Sequence, residues 1–105
     1  MIPATQFEDL PIRVGLGQFQ VPTDSLLAYI KQCGVDDIQM NTATLPGDSR
    51  WEYEDLAALR ERVNAAGLRL MSLENVPVTF YDQIMLGLPG RDEQIDHMVA
   101  TVTNM

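Results

Sequence analysis

Three side chains stand where this sequence could do chemistry. Asn41 and Glu74 each close a short apolar run, VDDIQMN and LRLMSLEN, and Arg91 follows a Pro-Gly turn. A carboxylate that ends a buried strand is costly unless something charged or hydrogen-bonding meets it, so Glu74 asks for a partner. Two readings are open: a hydrogen bond to the amides of the loop that follows, or a direct part in binding or proton chemistry. Asn41 is the neutral version of the same case. Arg91 has the forked geometry that grips a substrate carboxylate, or it pairs with its neighbour Asp92. The single histidine, His97, and the single cysteine, Cys33, offer less. Cys33 falls on an apolar helical stripe and reads as a packed thiol. His97 falls opposite Ile95, Val99 and Val102 and reads as solvent-facing, without the further converging ligands that a metal site requires. Asp36 and Asp37 read as solvated surface, and no catalytic residue is assigned.

The elements that position these groups follow from pattern. Ile12 to Phe19 alternates as a strand, and Thr23 or Asp24 caps a helix with Leu26, Leu27, Ile30 and Cys33 on one stripe and Gly34 at its end. Val35 to Asn41 is a second strand, with Ile38 and Met40 on one face and Gln39 and Asn41 on the other. WEYEDLAALRERVNAAG is a helix, its first turns acidic at Glu52, Glu54 and Asp55, where the helix dipole favours negative charge. Leu68 to Asn75 is a third strand. A long apolar segment, Glu74 to Ile95, reads as a site-building loop, and RDEQIDHMVATVTNM as a last helix with Ile95, Val99 and Val102 on one side. Gly15 and Gly17 open no helix, so GLG is no dinucleotide fingerprint; the two glycines thin a strand for close packing or ligand approach.

Strand and helix in alternation predict an α/β fold with a parallel sheet, whose ligand site lies at the carboxyl ends of the strands. These ends are Gln18 and Phe19, Asn41, and Glu74 with Asn75. The regular spacing suits a doubly wound sheet or a (β/α)8 barrel. A complete barrel needs about 250 residues, and this chain has 105. We therefore expect residues 1–105 to be the first three βα units, the N-terminal part of a single barrel domain with no second domain. Such a portion alone leaves two strand edges unpaired and is expected to be poorly stable or to associate. A net charge of −8 with dispersed Lys and Arg argues against nucleic acid as a partner. The lone cysteine, the absence of a long apolar run and the lack of a signal-peptide pattern predict a cytoplasmic protein that does not enter the membrane.

ENVPV followed by IMLGLPGRDEQI resembles the mannonate dehydratase family, whose third strand ends in a similar Glu-x-hydrophobe-Pro text. The likeness covers Glu74, Val76, Pro77, Val78, Asp82, Ile84, Leu86, Gly87 and Pro89 to Asp92. It extends to Trp51, the acidic turn and the Ala65 to Leu68 segment, and so spans about Val35 to Met105. Two departures stand out: Gly15-Leu16-Gly17-Gln18 where the family carries Arg-Trp-Tyr-Gly, and Thr79 with Phe80 and Tyr81 where it carries His. The resemblance implies a (β/α)8 lyase that uses Mn²⁺ or another divalent metal to dehydrate D-mannonate to 2-dehydro-3-deoxy-D-gluconate in hexuronate breakdown. It implies metal ligands on later strands, none among these residues, and a small sugar-acid substrate for which Asn41 and Glu74 form one wall of the pocket and the long loop part of its rim; Arg91 joins them as a candidate on its own chemistry, and a homo-oligomer is compatible with the pattern. The departures keep open a related sugar acid, a sugar isomerase or epimerase of the same barrel superfamily, or a noncatalytic association module.

Overall fold

The computed structural model describes residues 11–105. Three strands, β1 (Gly15–Phe19), β2 (Asp37–Asn41) and β3 (Arg69–Glu74), form a parallel sheet in the order β1-β2-β3. Helices α1 (Asp24–Gln32) and α2 (Tyr53–Ala65) make the two crossovers. Both crossovers step in the same direction, so their shared right-handedness puts both helices on one face of the sheet.

That face is the core. Ile38 and Met40 of β2 have no exposed surface and pack in one cluster with Leu27 and Ile30 of α1 and Leu56, Leu59 and Val63 of α2. The opposite face of β2 carries Asp37, Gln39 and Asn41, because side chains alternate along a strand. The first helix begins where its cap was expected, with the Thr23 hydroxyl accepting from the Leu26 amide at 3.2 Å, and Gly34 follows it at φ +82. The expected acidic first turn of α2 is present at Glu54 and Asp55.

Several local expectations are corrected. The first strand is shorter than Ile12 to Phe19, since Ile12 and Val14 are exposed and Arg13 turns to Asp37. Cys33 is not packed in the stripe of α1 but exposed at its C-cap. The segment after β3 is no open loop. It contains a 3-10 turn, Val78–Phe80, and a short helix, α3 (Asp82–Leu86), which ends at Gly87 with φ +65. A nonglycine residue adopts that left-handed conformation at a cost, so the glycine fixes the stop. Phe80 anchors the segment in the core, edge-on to Trp51 with ring centroids 5.9 Å apart.

The last helix, α4 (Arg91–Asn104), is turned differently from its apolar stripe. Ile95, Val99 and Val102 are exposed, while His97 is half-buried. Polar groups hold the helix. Gln94 accepts from the Gln83 and Ile84 amides and donates to the Thr79 carbonyl and to Asp82. The buried Thr101 hydroxyl accepts from the Trp51 amide, and Asn104 donates to the Trp51 carbonyl. Hydrophobic periodicity cannot foresee an attachment made by hydrogen bonds. No helix among the described residues is long and apolar enough to cross a membrane.

Candidate functional site at the carboxyl ends of the strands

Register brings Asn41 and Glu74 side by side, as paired residues of β2 and β3. With Gln18, Gln39 and Asn75 they make a group of five amide or carboxylate side chains, drawn from all three strands and the residue after β3. Asn75 donates to the Asn41 side-chain oxygen at 3.1 Å, and Asn41 donates to the Gln18 oxygen at 3.2 Å. Gln18 in turn donates to Oε2 of Glu74, which also accepts from Gln39 at 3.1 Å. Thr42 adds a hydroxyl donor to Asn41 at 3.2 Å. Glu74 thus has partners from β1 and β2 rather than from the loop that follows it. Of this group, sequence pattern singles out Asn41 and Glu74; it places Gln18 at a strand end and Gln39 on the face of Asn41, which was the available signal for both.

Backbone conformation marks the same place. Thr42 and Asn75, directly after β2 and β3, are the nonglycine residues with positive φ among those described, at 45 and 56. Asn tolerates this region, whereas a β-branched residue there is strained by about 1–3 kcal/mol. The Thr42 amide donates to the Glu74 carbonyl at 2.8 Å, which holds the turn against that strain. Beneath, Gly17 leaves room for Gln39. A Cβ on Gly17 would sit 3.0 Å from both the Cβ and the carbonyl oxygen of Gln39, so the side chain that supports Glu74 depends on this glycine's lack of one.

The other sequence candidates are not hydrogen-bonded into this group. Arg91 begins α4, is well exposed, and lies 3.6 Å from Asp92; among the described residues no hydrogen bond or ion pair joins it to the strand-end group. Asp36 and Asp37 are not solvated surface but buried at the amino ends of the strands. Lys31 binds Asp36 at 2.8 Å. Asp37 accepts two hydrogen bonds from Arg13 and two from Arg69, all between 2.8 and 3.0 Å. Burial alone would raise the Asp37 carboxyl, but the hydrogen bonds and charges of the two guanidiniums outweigh it and hold the pKa below its ordinary 3.8. Sequence position alone could not reveal this, because Arg13 and Arg69 are distant along the chain.

A parallel βα array with helices on one face and a polar group at the carboxyl ends of its strands belongs to the class of α/β proteins that place ligand sites there. Comparison with known proteins narrows the class. The chain belongs to the D-mannonate dehydratase (UxuA) family, whose model matches residues 18–105. A mannonate dehydratase of Streptococcus agalactiae is 41% identical over 61 residues, which is 58% of this chain and 17% of that protein. One from Thermotoga maritima is 35% identical over 80 residues, covering 75% of this chain and 22% of the relative. The crystal structure of mannonate dehydratase from Streptococcus suis serotype2 superposes with a TM-score of 0.68 at 26% identity, over 83% of this chain and 26% of that one. The chain therefore spans about a fifth of the length of the curated relatives it matches.

Proposed function

We propose that these residues form the N-terminal part of a (β/α)8 barrel that dehydrates D-mannonate, or a closely related sugar acid, to the 2-dehydro-3-deoxy acid. The observation that carries the reading is the strand-end group itself. In a chain of this family, Asn41 and Glu74 stand paired, in a polar network, at the end of the sheet where such folds hold ligands. A polyhydroxylated acid needs many directional donors and acceptors, and amides provide both at fixed geometry. Asn41 and Glu74 then contact substrate hydroxyls, and Arg91, weakly paired at its helix start, supplies charge for a carboxylate.

Dehydration next to a carboxylate builds enediolate charge, which a divalent metal such as Mn²⁺ stabilises when bound. The described residues do not make its site by themselves. Glu74 is the one carboxylate of the network and its Oε2 is engaged by two amides. Among the described residues no three His, Cys, Asp or Glu converge. The metal ligands belong, in this reading, to other parts of the enzyme.

The test uses the protein as its gene encodes it, assayed with Mn²⁺ and a panel of aldonic acids for formation of the 2-dehydro-3-deoxy product. Turnover that favours D-mannonate or a near stereoisomer is expected. Absence of dehydration across the panel sinks the assignment.

A further inference from the structure

The hydrogen bonds of the strand-end group run in one direction. An ionised carboxylate only accepts, so Gln18 must turn its NH₂ to Glu74 and its oxygen to Asn41. Asn41 must then turn its NH₂ to Gln18 and its oxygen to Asn75 and Thr42, which is the pattern found. The chain ends at Asn75, which is exposed, with its NH₂ committed inward.

We infer that Gln18 is a positioning residue that sets the polarity of this chain. Through it, Glu74 on β3 dictates which atoms Asn41 and Asn75 present, and the outermost group offered to a ligand is the Asn75 side-chain oxygen, an acceptor for a substrate hydroxyl. The geometry leaves this task to Gln18. It comes from β1, bridges the central strand to reach Glu74, and among the described residues is the one whose side chain bonds the side chains of both Glu74 and Asn41. Gln39 meets the same Glu74 oxygen but is joined to no other member of the chain in the described hydrogen bonds. A network of this kind favours a hydroxyl donor over an acceptor at the Asn75 oxygen, because turning the Asn75 amide would break its bond to the half-buried Asn41.

The inference rests on the strand-end group being the sugar-acid site, so two readouts are needed. With the gene-encoded protein, folded at the assay temperature by circular dichroism, Gln18→Leu should raise KM by about tenfold while kcat stays within about threefold. Gln18→Glu, which sets a like charge against Glu74, should raise KM further. An unchanged KM in Gln18→Leu overturns the inference. The second readout is a urea double-mutant cycle. Gln18→Leu should increase the unfolding constant by about threefold to tenfold in the wild type and have less than about a twofold effect in Glu74→Ala. Equal effects in both backgrounds overturn it without any appeal to activity. If no aldonic acid is turned over, the functional reading fails, and the urea cycle still decides whether Gln18 and Glu74 act as a coupled pair.

Discussion

The two ends of the uncovered sheet face hold a carboxylate in opposite ways. At the amino ends, Asp37 is 1% exposed and gripped by two guanidiniums through four hydrogen bonds. At the carboxyl ends, Glu74 is half-buried and held by neutral amides. Charge-assisted forks are stronger and geometrically fixed, and they use up both oxygens of Asp37 on the protein itself. Amides orient a carboxylate without bringing an opposite charge to it. The first arrangement ties the segment before β1 to β2 and β3 at one end; the second joins all three strands at the other end through amides alone.

The largest expected effect lies at the amino ends. Asp37→Ala leaves two guanidiniums facing each other around a buried position and should cost about 3 kcal/mol in urea unfolding, since removing one partner of a buried ion pair exposes the other to an uncompensated cost. A loss below about 1 kcal/mol would abolish the contrast between the two ends. Next in size is an acid limb. Asp37 has a folded pKa below its unfolded one, so its stabilisation is complete above an unfolded carboxyl near 4 and is lost as pH falls through the folded value. Between about pH 6 and pH 2, wild-type stability should drop more steeply than that of Asp37→Asn, and parallel curves would count against the ion cluster.

Smaller effects belong to the carboxyl ends. Thr42→Asn places a residue that accepts positive φ at a strained position and should stabilise by about 0.5–1 kcal/mol, after allowing for the lost hydroxyl bond to Asn41. A decrease instead would show that the hydroxyl outweighs the strain. Smallest for stability, and most informative for function, is Glu74→Gln. Its unfolding free energy should stay within about 0.5 kcal/mol of wild type, while sugar-acid turnover falls or KM rises. Unchanged kinetics would return Glu74 to a structural role.

Much of the site was legible because strand ends are legible. Apolar runs ending in Asn41 and Glu74 reported their own termini, and alternation placed Gln39 beside Asn41. What escaped was every relation across long sequence separation. Asp36 and Asp37 look like surface until Lys31, Arg13 and Arg69 meet them, and Gln18 looks like a strand end until it is seen to reach β3. The stripe of α4 misled for a related reason: Ile95, Val99 and Val102 mark an apolar face, but periodicity does not say against what, and the contacts of Gln94, Thr101 and Asn104 turn that face outward.

By itself the sequence determined the alternation of strand and helix, a cap at Thr23 or Asp24 and a stop at Gly34, the parallel sheet and the likeness to mannonate dehydratases, because these depend on local pattern and on short stretches of text. Tertiary structure alone decided the partners of both carboxylates, the burial of Asp37, the strained turn at Thr42 and the outward face of α4. Each of these is set by which residues meet across the sheet, and the energy of a charge or an amide is fixed by its neighbours in space rather than by its neighbours in the chain.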